Sequence, residues 1–248
     1  VIDLHCHLLP GIDDGPETLE EALDLARLAV ANGIRRAVVT PHIQPGCWDN
    51  DRRSIERVWG TFLEAVARYG LPLELGMAAE VRLCAEMIGL LAEDRIPFLG
   101  EYRGKRVLLL EFPHDQIPVG TEKFVRWLLR QDIQPMIAHP ERNKAVIRDF
   151  SRIFPYVDMD CLFQVTSGSL VGRFGPFAEE RALQFLEEGW ITVLASDAHN
   201  ARHRPPELRD GRDLVARLAG VEMARRLVEE TPAAIVGLLP LPSPAEAA

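Results

Sequence analysis

Short β-branched or leucine-rich runs alternate with longer amphipathic stretches from one end of the chain to the other, the pattern that parallel βα units produce. Seven runs are apolar enough to be strands buried on both faces: 2–5, 37–40, 73–79, 106–111, 135–138, 162–166 and 191–196. Between them the helical period predicts helices over 17–32, 54–69, 84–92, 121–130, 176–188 and 207–229. In the first of these, Leu19, Leu23, Ala26 and Val30 share one face. It begins just after Pro16, where a missing N–H costs nothing, and stops at Asn32-Gly33, where positive φ is accessible.

With no linker, low-complexity segment or clean internal repeat, this alternation predicts one barrel-like (β/α) domain over 1–239, with an open doubly wound sheet as the alternative. A proline-rich tail over 240–248 cannot continue a helix. The distinction matters for ligands, because a barrel gathers the C-terminal ends of all its strands at one mouth.

Composition narrows the function classes. The chain has 248 residues, 47% apolar and 26% charged, and 28 Lys+Arg against 37 Asp+Glu give a formal net charge of −9. That balance leaves no electrostatic footprint for a nucleic-acid backbone. No apolar run approaches the roughly 18 residues of a membrane span, so no membrane insertion is expected. Four cysteines without paired spacing (Cys6, Cys47, Cys84, Cys161) read as reduced intracellular thiols, and the start lacks a signal-like segment. A cytoplasmic protein is the expectation.

The histidines and carboxylates are distributed less evenly. His5, His7, Asp14, His42, Glu80, Glu111, His139, Asp197 and His199 all fall at or just beyond the C-terminal ends of six predicted strands. Alternate residues of an extended strand point the same way, so His5 and His7 can share a cation, and so can Asp197 and His199. Nine such groups exceed what one ion takes from protein, and suit two or three divalent ions with positions left for water and substrate. Imidazole mixed with carboxylate favours manganese, iron or zinc over calcium. Three divalent ions would move the formal charge from −9 to −3 and turn an acidic cluster into an anion site. Arg142 and Arg204 follow two of the strand ends closely and could supply guanidinium forks for a phosphate.

Taken together, Asp3-Leu4-His5-Cys6-His7, Gly11-Ile12-Asp13-Asp14-Gly15-Pro16, Thr40-Pro41-His42, Gly76 to Glu80, Leu110-Glu111-Phe112, Ala138 to Arg142 and Ala195 to Asn200 resemble the polymerase-and-histidinol-phosphatase (PHP) superfamily. Within it they are most similar to the metal-dependent protein-tyrosine phosphatases of bacterial capsule and exopolysaccharide loci (CpsB/YwqE type). The resemblance runs from Val1 to about Leu239. It implies a distorted, TIM-like (β/α)7 barrel with a trinuclear centre, manganese being expected ahead of iron or zinc. One ion would be held by His5, His7, Glu80 and Asp197, a second by Glu80, Glu111 and His139, and a third by Asp14, His42 and His199.

Arg142 and Arg204 would then be the catalytic cations, and a metal-bridging hydroxide would attack phosphorus without a phosphoenzyme. The implied substrate is phosphotyrosine on the tail of a bacterial tyrosine kinase that controls polysaccharide export; an oligomer is left open. The resemblance also leaves other readings standing, namely a small phosphomonoester such as histidinol phosphate, a nucleic-acid phosphodiester, or a non-catalytic metal-binding regulatory domain. One departure stands at Thr166, where asparagine is expected, and it bears on local loop hydrogen bonding. Cys47 and Arg53 match the C-x5-R spacing of cysteine-dependent phosphatases. Between them stand no glycine and two aspartates, which would repel phosphate, so the match is read as coincidence.

Overall fold

A computed structural model describes residues 1–237. Residues 238–239 of the expected domain and the expected tail over 240–248 lie outside the described residues. Ten strands are β1 (Ile2–Cys6), β2 (Arg36–Val39), β3 (His42–Ile43), β4 (Glu74–Met77), β5 (Glu80–Arg82), β6 (Gly100–Tyr102), β7 (Lys105–Glu111), β8 (Ile133–Ala138), β9 (Leu162–Thr166) and β10 (Val193–Ala195). Helices are α1 (Leu19–Ala31), α2 (Arg52–Arg68), α3 (Met87–Ala92), α4 (Thr121–Arg130), α5 (Lys144–Arg148), α6 (Phe154–Val157), α7 (Ser167–Leu170), α8 (Pro176–Glu187), α9 (Arg209–Ala219), α10 (Val221–Arg225) and α11 (Thr231–Ile235).

The result is a mixed α/β fold of parallel sheets. One sheet runs β1-β2-β4 and the other β10-β9-β8-β7-β5-β3, and only β6 pairs antiparallel, with β7. Each of the seven predicted strands is present. Two are followed closely by a short strand that was not predicted: the run 73–79 holds β4 and leads into β5, while the run 37–40 holds most of β2 and leads into β3. Pro41 lacks the N–H that would continue the ladder, so the chain steps between the sheets there and restarts at His42. Where β1 and β10 end, Cys6 and Ala198 form an isolated parallel bridge, reinforced by His7 N donating to Ala198 O at 2.8 Å.

The uninterrupted apolar runs are explained by burial on both faces. Along β7, Leu108 and Leu110 enter the larger apolar cluster shared with the helices, while Val107 and Leu109 enter a smaller one with Ile2, Leu4 and Met136. α1 is capped by Thr18, whose hydroxyl accepts from Glu21 N while the Glu21 carboxylate accepts from Thr18 N. The predicted helix over 207–229 is a correction. Gly220, at φ 92° and ψ 155°, divides α9 from α10, and a π-helical turn follows over Arg226–Glu230. An apolar period that continues through a glycine cannot reveal that break. Among the described residues no helix is long and apolar enough to cross a membrane.

Candidate metal centre

Strand ends bring eight of the nine residues together, and a loop delivers the ninth. His5 lies in β1 and His7 just beyond it; His42 and Glu80 open β3 and β5; Glu111 closes β7; His139 follows β8; Asp197 and His199 follow β10. Asp14 sits in the loop between β1 and α1, and its side chain is 41% exposed, whereas those of the other eight are buried or nearly so. That loop is drawn tight against the strand: a Cβ on Gly15 would stand 2.6 Å from the His7 carbonyl oxygen. His139 and Asp197 have left-handed backbones at φ 31° and 52°, conformations that non-glycine residues adopt at a cost and that cluster at functional sites.

Around His5, the donor atoms are spaced as cation ligands are. His5 Nε2 lies 3.2 Å from His7 Nε2 and 3.3 Å from both Glu80 Oε2 and Asp197 Oδ1. His7 Nε2 lies 3.4 and 3.5 Å from the same two oxygens. Four N/O donors held tetrahedrally at zinc-like bond lengths stand about 3.3–3.6 Å apart. A second group joins His7 and Asp14 to His42 and His199, with Asp14 Oδ1 3.3 Å from His42 Nε2 and 3.2 Å from His199 Nε2. A third is formed by His42, Glu80 and Glu111. His139 Nε2 approaches Glu80 Oε1 to 2.7 Å, whereas Glu111 Oε1 is 3.9 Å away.

Among the described residues, buried Glu80 Oε2, Asp197 Oδ1 and His199 Nε2 make no well-formed hydrogen bond, close as they lie to the other donor atoms of the cluster. Orphaned polar atoms are expensive inside a protein, and several in one cluster of mixed imidazole and carboxylate donors fit divalent cations. Charge agrees. Burial would lower the His5 and His7 imidazoles, but Glu80 and Asp197 around the first, and Asp13 and Glu80 around the second, raise both to about 9. Burial with the Arg142 charge lowers His139 to about 3, and burial beside His7 lowers His199 to about 4. Burial beside Glu80 raises Glu111 to about 7, while Arg142, His5 and Arg204 overcome burial to hold Asp197 well below the ordinary carboxylate range. Cations entering such a cluster take over the role of protons.

Both arginines singled out in the sequence reach the cluster. Arg142 Nη2 donates to Asp197 Oδ2, and Arg204 Nη2 donates to the same oxygen at 2.5 Å. The Arg142 guanidinium also lies over the Phe174 ring, 4.6 Å from its centre. A cavity of about 430 Å3 opens over these groups, with Trp48, Ile147 and Phe174 as apolar wall; the Trp48 indole stacks on His42 at 4.7 Å and 14°. Cys47 is exposed on a turn and does not line this cavity, and Cys6 is buried with its thiol directed at Val38 O.

Several residues to which the sequence assigned no role hold the clustered side chains in place. Gln164 Oε1 accepts from His5 Nδ1 at 2.8 Å and from His139 N at 3.1 Å. Asp13 Oδ2 bonds His7 Nδ1 at 2.7 Å and accepts from His42 N at 3.0 Å. Asp3 accepts from Ser196 and His5, and Arg82 pairs with Glu111 at 2.7 Å. Thr166 closes β9 directly before α7, not in a loop; its backbone N–H donates to Glu141 Oε1 at 3.1 Å, while its buried hydroxyl has no hydrogen-bond partner among the described residues.

The family described as capsular polysaccharide synthesis, CpsB/CapC, matches residues 1–237. Tyrosine-protein phosphatase YwqE of Bacillus subtilis is 31% identical over 229 residues, 92% of this chain and 89% of that protein. Tyrosine-protein phosphatase CpsB of Streptococcus pneumoniae is 29% identical, covering 95% of this chain and 98% of that one. Among solved structures, one from the work on YwqE and CpsB of those two bacteria, described as unique metal-dependent tyrosine phosphatases, superposes with a TM-score of 0.88 at 29% identity and covers 98% of each chain. An organophosphorus hydrolase variant from Deinococcus radiodurans has a TM-score of 0.59 at 14% identity, which is likeness of fold alone.

Proposed function

The chain belongs to the CpsB/CapC family of capsular polysaccharide synthesis, and on that premise we propose that it is a metal-dependent phosphatase that hydrolyses phosphotyrosine. The observation that carries the reading is the single cluster formed by His5, His7, Glu80 and Asp197 with two arginines on the same aspartate. By the family resemblance the remaining ligand-type residues would extend it into two further sets, Glu80 with Glu111 and His139, and Asp14 with His42 and His199, whereas the donor atoms gather with His42 beside Glu80 and Glu111 and with His139 beside His5 and Asp197. Three sets, with Glu80 shared, would hold two to three divalent ions, manganese ahead of iron or zinc. The hydrogen bonds joining the ends of β1 and β10 support reading the two sheets as one distorted, TIM-like (β/α)7 barrel of the PHP type.

Held by these side chains, divalent ions would supply Lewis acidity at phosphorus and an activated water as nucleophile. The protein supplies position and charge. Arg142 and Arg204, anchored on Asp197 Oδ2, keep further N–H groups for the equatorial phosphoryl oxygens, where negative charge concentrates. Phe174 holds the plane of Arg142, so the fork is ordered before substrate arrives. Trp48, Ile147 and Phe174 offer the apolar wall that a phenyl ring requires and a small polar alcohol does not. A tyrosine leaving group, with a pKa near 10, departs as phenolate without demanding a strong general acid. The proposed physiological substrate is the phosphorylated tail of a bacterial tyrosine kinase acting in capsule or exopolysaccharide synthesis.

The test is turnover of matched phosphotyrosyl and phosphoseryl peptides, histidinol phosphate and single-stranded DNA by Mn²⁺-loaded protein, with and without chelator. Chelator-sensitive preference for the phosphotyrosyl peptide is expected. Equal or better cleavage of histidinol phosphate, or activity that survives chelation, overturns the reading.

A further inference from the structure

The cavity over the candidate metal centre also takes in a second group of basic side chains, two cations and a histidine. Arg82, His114 and Lys144 line the same space of about 430 Å3 as His139 and Arg142. They are fixed there by backbone and side-chain bonds. Lys144 N donates to His114 O at 2.9 Å, and the neighbouring Asn143 amide donates to Pro113 O at 2.8 Å. These bonds dock the start of α5 onto the segment after β7. Arg82, at the end of β5, is held by Glu111 at 2.7 Å.

The cations in this cavity are not equivalent. Arg142 and Arg204 are committed to buried Asp197, and Arg82 to buried Glu111. Lys144 Nζ instead pairs at 2.6 Å with Asp115, whose side chain is 71% exposed and does not line the cavity. A pair this exposed contributes little and exchanges readily for another anion. The local field is positive: burial lowers the His114 imidazole, and the charges of Lys144, Arg142 and Arg82 lower it further against the opposing Asp115. Lys144 is also one of only three lysines in the chain, the other cations being arginines. A lysine on a flexible stem is a point charge that can follow an anion through several poses, where an arginine fork demands one plane.

We propose that Lys144, with Arg82 and His114 beside it, forms a second anion subsite that binds an acidic side chain neighbouring the phosphotyrosine, making the enzyme selective for acidic phosphotyrosyl peptides. The proposal rests on the phosphatase reading and deepens it. The chemistry recognised is a side-chain anion, carboxylate or phosphate, a few residues from the scissile group. One partly exposed charge pair of this kind corresponds to about fivefold in kcat/KM, carried in KM and weakened by salt.

The experiment measures kcat and KM of Mn²⁺-loaded enzyme on four phosphotyrosyl peptides of equal length, flanked by Glu, Ala, Lys or a second phosphotyrosine. Wild type is expected to prefer the Glu and doubly phosphorylated peptides to the Ala peptide about fivefold, and the two acidic arms decide between carboxylate and phosphate as the better ligand. Lys144→Ala should level the series, Lys144→Glu should invert it towards the Lys-flanked peptide, and Lys144→Arg should restore the original order. A wild-type enzyme indifferent to flanking charge, or a preference that survives Lys144→Glu, overturns the subsite and leaves the phosphatase reading intact. Absence of turnover on all four peptides, with another phosphomonoester cleaved, overturns the reading and the subsite with it.

Discussion

Gln164 and His5, 159 residues apart in sequence, are joined by a 2.8 Å hydrogen bond from His5 Nδ1 to Gln164 Oε1. The same oxygen accepts from the backbone N–H of His139, which can only donate, so the amide orientation is fixed. His5 therefore carries a proton on Nδ1, and Nε2 is the nitrogen whose lone pair would be given to a cation that displaces its proton. Gln164→Leu is expected to lower divalent-cation affinity 10- to 100-fold, the usual effect of losing a bond that orients a ligating imidazole. Gln164→Glu keeps the acceptor and should retain affinity. Equilibrium dialysis against Mn²⁺ measures both, and equal affinity for wild type and the leucine variant would show that the bond does not orient the ligand.

Cation removal should cost stability as well as activity. Ions at 100 times their Kd add about 2.7 kcal/mol, equivalent to roughly 5–10 °C in Tm for a domain of this size. Calorimetry with EDTA, then with Mn²⁺ restored, checks the shift; an unchanged Tm would separate the cluster from cation binding.

Arg142→Lys retains the charge but loses the fork and its contact with Phe174. A fall in kcat of about 100-fold, the scale for losing one donor to developing charge, is expected with phosphotyrosyl peptide. Steady-state kinetics decides, and a change confined to KM would assign Arg142 to ground-state binding alone.

Cys47→Ser should leave kcat/KM within about twofold of wild type, because the exposed thiol does not line the cavity. His139→Ala, which removes a group 2.7 Å from Glu80, should reduce it by orders of magnitude. Comparable losses from both substitutions would revive a cysteine-based mechanism.

That the strand-end histidines and carboxylates would come together was legible because each is a short-range signal: an apolar run announces a strand, and the residue at its end announces the group. What was not legible is supplied from far along the chain. Gln164 lies within an apolar run, and only the register of β8 beside β9 sets its oxygen at His139 N. Asp13 and Asp14 are adjacent, and nothing local shows that the first buttresses His7 and His42 while the second faces the cluster. The Thr166 departure was expected to bear on a loop, but Thr166 ends β9 with α7 following directly, and its backbone amide carries the contact to Glu141. The break at Gly220 depends on backbone angles that hydrophobic periodicity does not encode.

The bonds joining β1 to the residues after β10 also set an order of events. Asp3 and Ser196, 193 residues apart, are bonded beside the cluster, and Asp197 N donates to His5 O. Asp197 and His199 follow His5 and His7 by about 192 residues, and this part of the cluster is completed only by contact between distant parts of the chain. Cation capture at this site is therefore expected to be a late step, placed after the long-range strand pairing that limits folding speed in such topologies. Until then the acidic and imidazole groups would meet divalent ions singly and weakly, and the assembled cluster alone would select what it holds.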